Sequence, residues 1–373
     1  MKKVVAILFA VLFLLGVTAC QKASAPNTSP DFNAKTDYNV SYAFLEYTTS
    51  MIETEDGYYY VTHDHYLRFI DKLTMKDIVL CSKPECTHTE NDQDICTAYL
   101  GVFSPNQLFY YNQEIYCFVY DETQASLGFH DVYLSRISKD GSSCEKVWEI
   151  QWKGHSGYFQ TGVLHRGVYY FYVSQENDMT VYAYDLKKDR CDKIYSSDRF
   201  GSNLTPIGNY VYWRHLDPNT LKSQMIQYEI STEKIKTIDG PWKVTLCGDA
   251  LLFEEYKKEE KRRIFSIGQR TSSDLAKIEL FVDGGISGDG RYLYSFPSTE
   301  DDFSIEVLDV TTYQEISRLE IKEQLELFGV YRLLPGSGEK LFLVNIHGEP
   351  IFYAYKSAIG TPDFQWFEVE KVN

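Results

Sequence analysis

The sequence has 373 residues, with 37 basic against 53 acidic side chains and a formal net charge of −16 at pH 7. A balance this acidic argues against nucleic acid as a partner and against electrostatic attachment to anionic lipid. The 30 tyrosines and 22 phenylalanines favour β structure, since aromatic side chains suit half-buried pleated surfaces.

The first twenty residues have the layout of a secretory signal. Lys2 and Lys3 precede an apolar run over residues 4–15, which is too short for a spanning helix. After this run and Gly16 come Val-Thr-Ala and then Cys20, a pattern that resembles the bacterial lipobox. The resemblance implies that residues 1–19 are a lipoprotein signal peptide and that Cys20 becomes the lipidated first residue of the mature protein. An uncleaved anchor or a plain cleaved signal are the alternatives.

The lipidated cysteine would place the protein outside the cytoplasm, attached to the cell membrane by its acyl chains. The segment that follows is poor in aliphatic residues and rich in Ser, Thr, Asn, Ala and Pro. We therefore expect residues 20–39 to form the lipidated cysteine and a flexible tether.

Aromatic-rich strands recur after small turn residues along the rest of the chain. Seven of them begin at Tyr58, Ile115, Val168, Tyr210, Leu251, Tyr292 and Leu341, at separations of 41 to 57 residues. Such a period in an all-β pattern is typical of propeller blades. We predict one all-β domain over residues 40–373, a β-propeller of seven four-stranded blades. Six or eight blades are the alternatives, because the segment 40–56 belongs either to the first blade or to the last.

Successive strands of a blade run in opposite directions, which predicts two different faces. The turns between first and second strands and between third and fourth strands are short and define a turn face. The connections between second and third strands, and between successive blades, define a long-loop face, which includes residues 121–130 and a Cys-rich insertion at 81–104. Loops on a rigid scaffold are where binding usually resides, so this face is the candidate binding surface.

Four metal-binding residue types lie close together in the insertion: Cys81, Cys86, His88 and Cys96. Three thiolates and an imidazole suit a tetrahedral zinc site. A disulfide between two of the three cysteines, with His88 a bystander, is the interpretation we favour, because disulfides persist in exported proteins. Free or mixed thiols are the third alternative. The sequence CSKPECTH followed by CTA resembles a motif of uncharacterised propeller-like lipoproteins of Firmicutes, a resemblance that implies no activity.

The remaining cysteines do not suggest a disulfide framework, since seven beyond Cys20 leave at least one unpaired. Cys144 and Cys191 begin equivalent outer strands of neighbouring blades, which diverge, so we expect no bond between them. Cys117 and Cys247 lie in apolar strands and are predicted core residues.

Histidines concentrate on the predicted long-loop face. The candidate binding residues there are His63, His65, His130, His215 and His347. Neighbouring carboxylates would orient these imidazoles or bind a divalent cation. Long polar loops also collect such residues without any shared site, and sequence alone gives no distances between blades.

No catalytic residue is assigned, because the sequence contains no GxSxG, HExxH or EF-hand pattern. The function we predict is recognition of a protein or glycan ligand at the cell envelope, without catalysis. The alternative is a propeller-type polysaccharide lyase or hydrolase, with or without a metal, that uses loop histidines near the channel.

Overall fold

The computed structural model describes residues 33, 36–37, 42–43, 50–100, 108–121, 131–150, 158–175, 178–198, 200–216, 223–239, 243–247, 250–257, 262–269, 275–278, 286–295, 303–328, 330–336 and 338–372. Within these ranges the chain is all-β apart from one short α-helix and two 3₁₀ turns. The prediction of an all-β chain is confirmed.

The strands form a series of antiparallel meanders in chain order. The first sheet contains β1 (Tyr42–Ala43), β2 (Ser50–Glu53), β3 (Gly57–Val61), β4 (Leu67–Asp71) and β5 (Lys76–Val79). The second contains β6 (Leu108–Tyr111), β7 (Glu114–Asp121), β8 (Asp131–Ile137) and β9 (Cys144–Ile150). The third contains β10 (Tyr158–His165), β11 (Val168–Gln175), β12 (Asp178–Asp185) and β13 (Arg190–Ser197). The fourth contains β14 (Phe200–Ile207), β15 (Tyr210–Leu216), β16 (Ser223–Glu229) and β17 (Lys234–Asp239).

An eight-stranded sheet follows, built from two meanders of four strands. The first meander is β18 (Lys243–Cys247), β19 (Ala250–Lys257), β20 (Arg262–Gln269) and β21 (Leu275–Ile278). The second is β22 (Ile286–Gly288), β23 (Tyr292–Ser295), β24 (Ser304–Asp309) and β25 (Glu315–Glu320). Their first strands pair in parallel at Cys247 and Gly288. The helix α1 (Lys322–Phe328) then leads to the last sheet, β26 (Val330–Leu334), β27 (Lys340–Asn345), β28 (Pro350–Tyr355) and β29 (Phe367–Glu368).

The two ends of the chain both join the first sheet. The segment 40–56 opens this sheet, because β2 pairs with β3. The final strand β30 (Glu370–Lys371) pairs in parallel with β5 on the opposite edge. Six of the seven aromatic strands predicted from sequence are the second strands of their meanders, and the one that begins at Tyr58 lies in β3, the third strand of the first sheet.

Aromatic and aliphatic side chains fill the spaces between neighbouring sheets. Phe109 of the second sheet packs with Tyr169 and Phe171 of the third. Between the first and last sheets, the rings of Tyr58 and Phe342 lie 4.8 Å apart inside a shared buried cluster. The side-chain alternation of the strands therefore buries one apolar surface against each neighbour.

The two predicted faces are visible in the contacts of the first sheet. On the turn face, Lys72 Nζ, in the turn between β4 and β5, donates to Glu53 Oε1 at 2.5 Å and to the Thr54 carbonyl at 3.1 Å. On the long-loop face, the amide of Leu67 donates to the Ala98 carbonyl at 2.8 Å, and that of Leu100 donates to the His65 carbonyl at 3.1 Å. The insertion therefore lies against the connection between β3 and β4.

Candidate metal centre

The insertion that carries the cysteines leaves β5 and stays attached to β4. The amide of Leu80 donates to the Leu67 carbonyl at 2.9 Å, and the rings of Tyr66 and Tyr99 lie 5.4 Å apart. Tyr66 also donates from its hydroxyl to the Thr89 carbonyl at 3.2 Å. These contacts fix the segment at both ends and in its middle.

Two local turns bring the ligating residues together. The amide of Cys86 donates to the Lys83 carbonyl at 3.1 Å, closing a turn in which Pro84 occupies the second position that proline favours. A 3₁₀ turn over Glu90–Asp92 follows, and the amide of Cys96 donates to the Asp92 carbonyl at 2.8 Å. The carboxylate of Asp92 also accepts the Thr87 amide at 2.7 Å. The loop is thereby folded back so that its two ends meet.

The result is a compact four-residue cluster. One ligand atom each from Cys81, Cys86, His88 and Cys96 lies within 4.8 Å of all the others. Ligands of a tetrahedral zinc ion at about 2.3 Å from the metal lie roughly 3.8 Å apart, so a small contraction would complete the geometry. All four residues predicted from sequence as metal ligands therefore come together.

The His88 side chain supports a ligating role. Its Nε2 atom is buried and has no hydrogen-bond partner among the described residues. A buried polar nitrogen without a partner is costly, and a bound ion is one of the few explanations for it. His88 also adopts a left-handed backbone, with φ of 56°, at the bend that turns it toward the cysteines.

The thiols of the cluster differ in their electrostatics. Burial raises the pKa of the Cys96 thiol to about 12, and its hydrogen bonds with Cys86 and Cys81 act in the same direction. Burial opposes ionisation of Cys81 as well, but hydrogen bonds from the Thr97 side chain and the Lys83 backbone lower its pKa to about 6. The Thr97 hydroxyl donates to Cys81 Sγ at 3.5 Å. Cys81 is the member best prepared to bind a cation as a thiolate.

The favoured disulfide is not present in the structure. Cys81, Cys86 and Cys96 are all free thiols, as are Cys144 and Cys191 on two outer strands. Cys117 is fully buried in the core, as predicted. Cys247 belongs to β18.

The candidate histidines do not gather at one place. His63 and His347 stack, with ring centroids 4.3 Å apart and planes inclined by 23°. Next to them, the amide of His63 donates to Glu349 Oε1 at 3.1 Å. The first and last sheets therefore share a polar patch on the long-loop face.

The other candidate histidines lie elsewhere. His215 is a buried residue of β15, and its Nε2 shares a hydrogen bond of 2.6 Å with Ser197 Oγ. His65 is half-buried and holds the insertion through its carbonyl oxygen. His130 lies outside the described residues, as does Cys20.

Sequence reasoning missed a buried polar group beneath the stacked histidines. The Tyr60 hydroxyl donates to Asp77 Oδ2 at 2.6 Å, and Arg68 Nε donates to Oδ1 of the same carboxylate at 3.0 Å. Asp77 has no exposed surface, and burial raises its pKa despite these bonds. The alternation of the three strands places these residues on one side of the sheet, but nothing local in the sequence marks them as partners.

No protein-family model matches the sequence, and neither does any curated protein. Among solved structures, an oligogalacturonate lyase from Vibrio parahaemolyticus is 9% identical, with a TM-score of 0.51, over 86% of this chain and 91% of that chain. An oligogalacturonate lyase in complex with manganese is 11% identical, with a TM-score of 0.50, over 86% and 90%. The β-propeller domain of the Trilobed protease from Pyrococcus furiosus is 10% identical, with a TM-score of 0.47, over 70% and 84%.

The chain spans 42% of the length of an acylaminoacyl peptidase that it also resembles. At these identities the likeness concerns the fold alone. The successive antiparallel meanders, together with the similar solved structures, support a β-propeller-like all-β fold. Among the described residues, no helix is both long and apolar enough to cross a membrane.

Proposed function

We propose that this chain is an exported lipoprotein whose β-propeller binds a protein or glycan at the cell envelope without catalysis. Cys20 would carry the lipid, and the consecutive meanders would be seven blades of one ring. A zinc ion held by Cys81, Cys86, His88 and Cys96 would fix the shape of the insertion on the binding face. The observation that carries the proposal is this cluster, with its buried and unpartnered His88 Nε2, on the long-loop face.

A closed ring is supported by the packing at both ends of the strand series. The first and last sheets share one buried apolar cluster, as neighbouring sheets elsewhere do. Ile346 of the last sheet remains 62% exposed beside the stacked histidines, on the same face as the insertion. An exposed apolar residue within a polar patch is a reasonable contact point for a partner.

The zinc would act as a structural ion. The four protein ligands leave no open coordination position, which is the arrangement of structural rather than catalytic zinc sites. Metal binding to the folded insertion would add to the folding energy that its buried apolar contacts already supply. The insertion would then present a fixed surface to the partner.

The test is the zinc content and the free-thiol count of purified residues 21–373, before and after a chelator. We expect about one zinc per chain, with Cys81, Cys86 and Cys96 reacting with thiol reagents only after chelation. The variant His88→Ala should weaken zinc binding at least about tenfold, the loss seen even when outer partners of ligands are removed. His347→Ala, which lies outside the cluster, is the matched control and should bind zinc normally. Two thiols that stay unreactive until reduction, with no metal, would contradict the zinc site and make the insertion a disulfide-stapled loop of a non-catalytic binding propeller.

A second candidate function is favoured by the stacked His63 and His347 beside Glu349. Imidazoles and carboxylates are side chains that can act as the general acid and base in cleavage of a polysaccharide. If the protein is a lyase or hydrolase, a uronate-containing oligosaccharide should be cleaved by the protein and not by the variant His63→Ala/His347→Ala. Absence of cleavage across acidic and neutral glycans, together with retained binding, would eliminate this candidate.

A further inference from the structure

The segment that precedes the first sheet is docked through a buried ion pair. Arg166 Nε and Nη2 donate to the two carboxylate oxygens of Asp37 at 2.7 and 2.8 Å, and the Arg166 amide donates to the Thr36 carbonyl at 2.7 Å. The two side chains are only 5% and 1% exposed. A bidentate, charge-assisted pair of this kind is among the strongest polar contacts in proteins. The docking is therefore specific.

The Asp37 carboxylate is charged in this pairing. Burial works against its ionisation, but the hydrogen bonds from Arg166 and the charges of His165 and Arg166 lower its pKa. His165 is itself held in place, with Nε2 donating to the Gly208 carbonyl at 2.8 Å. His165, which precedes the arginine that binds the segment, is thus fixed by the turn between β14 and β15.

The docking point lies on the turn face. Arg166 and Gly167, with φ values of 52° and 81°, form the two-residue hairpin turn between β10 and β11. Positive φ at both central residues is the turn type that such tight hairpins favour. Gly208 belongs to the equivalent turn between β14 and β15. The segment therefore docks on a turn of the third sheet, and that turn contacts the equivalent turn of the fourth sheet through His165.

The direction of β1 agrees with entry from the turn face. Tyr42 pairs with Met51 and Ala43 pairs with Ser50, so β1 is antiparallel to β2. β2 runs toward its hairpin turn with β3 on the turn face. β1 consequently runs away from that face, so its first residue, Tyr42, lies at the end nearer the turn face, where Asp37 is bound.

We propose that the docked segment holds the turn face toward the membrane and presents the long-loop face, with its Cys/His cluster, away from it. This orientation rests on the proposed lipidation of Cys20. Thirteen peptide steps separate Cys20 from Asn33, which is about 45 Å when fully stretched but only about 20 Å on average as a coil. In the opposite orientation, the tether would have to pass across the width of a four-stranded sheet, about 14 Å, and then along the length of an eight-residue strand, about 27 Å. The reversed orientation requires nearly full extension of the tether.

The test measures the distance of each face from the bilayer. Full-length lipidated protein is reconstituted in phosphatidylglycerol–phosphatidylethanolamine vesicles that contain an acceptor lipid. A fluorophore is attached through a genetically encoded azide at Ser142, in the turn between β8 and β9, or at Ile346 on the long-loop face. We expect clearly higher energy transfer to the lipid from position 142 than from position 346. Equal or reversed transfer would overturn the proposed orientation.

The variant Asp37→Asn tests whether the ion pair sets the orientation. We expect the difference between the two positions to fall by at least half, while sedimentation with vesicles and zinc content stay unchanged. Arg190→Ala is the matched control, because it removes an exposed pair with Asp192 elsewhere in the third sheet. An unchanged difference in Asp37→Asn would show that the docked segment does not set the orientation.

The variant Cys20→Ala separates the two proposals. If this variant no longer binds vesicles, while energy transfer from positions 142 and 346 of the lipidated protein is equal, the proposed anchor is supported and the proposed orientation is wrong. If it binds vesicles as the parent does, the proposed anchor is wrong and the orientation falls with it.

Discussion

At the scale of single residues, one buried ion pair joins the sixth meander and the last sheet beside their shared apolar cluster. Lys356 Nζ lies 2.7 Å from Asp289 Oδ2, and both side chains are almost fully buried, at 6% and 1% exposure. Asp289 also accepts the Tyr292 amide at 2.8 Å and the Tyr294 hydroxyl at 2.8 Å. Burial lowers the pKa of Lys356 although Asp289 opposes the shift.

We expect Asp289→Asn to destabilise the protein by about 3–5 kcal/mol at neutral pH, because it leaves the Lys356 charge buried and unpaired. A lysine whose pKa is lower in the folded state makes folding more favourable as the pH rises, since the unfolded state then binds more protons. The deficit of the variant should therefore shrink as the pH approaches 10.5, the ordinary pKa of a lysine. Denaturant unfolding of the parent and the variant between neutral pH and pH 10.5 measures the difference in their free energies of unfolding.

The matched control for this prediction is Asp192→Asn, which breaks an ion pair with Arg190 whose side chains are 65% and 49% exposed. Exposed pairs contribute about 0–1 kcal/mol, so this variant should unfold close to the parent. A deficit of Asp289→Asn that stays constant or grows with pH would show that the Lys356 charge is not the cause.

The metal cluster was predictable from sequence at the residue scale because its members are local. Two short turns suffice to join Cys81, Cys86 and Cys96, and turn residues such as Pro84 are visible in the sequence. The stacking of His63 on His347 was not predictable, because it depends on the packing of the first sheet against the last. His215 illustrates the same limit, since its burial against Ser197 depends on how the third and fourth sheets meet.

At the scale of elements, the short strand β30 joins the C-terminus to the outer edge of the first sheet. Glu370 pairs with Lys76, Lys371 pairs with Asp77, and the Val372 amide donates to the Asp77 carbonyl at 2.8 Å. Val369 is buried in the cluster shared by the first and last sheets. The C-terminal strand thus protects the free edge of β5.

Removal of residues 370–373 should destabilise the protein by about 1–2 kcal/mol, the net effect of losing about two backbone hydrogen bonds. The specific readout is hydrogen exchange, which should speed up in the peptide that contains β5. The outer strand β13 of the third sheet is the internal reference and should exchange as before. Unaltered exchange in β5 would mean that β30 does not protect this edge.

The main strands could be predicted from sequence because their signal is local. Alternating aromatic residues after small turn residues identified an inner strand of every meander, and β16 is alternating in the same way. The two-residue strands β1 and β30 carry no such signal and exist through their partners. The helix α1 was not predicted either, since seven residues between two strands resemble a connecting loop.

At the scale of the whole molecule, the proposed propeller has two different faces, with short turns on one and longer connections on the other. The turn face receives the N-terminal segment at Asp37, and the long-loop face carries the Cys/His cluster, His63 and His347. A rigid disc with short turns on one side suits attachment there, while longer connections on the other side suit recognition.

The most direct test of the central claim is a crystal structure of residues 21–373 with diffraction data collected on both sides of the zinc absorption edge. We expect one anomalous peak among Cys81, Cys86, His88 and Cys96, at about 2.3 Å from each sulfur. We also expect a closed ring of seven four-stranded blades. A sulfur–sulfur bond in place of the peak would contradict the metal centre. A gap between the first and last sheets would contradict the closed propeller.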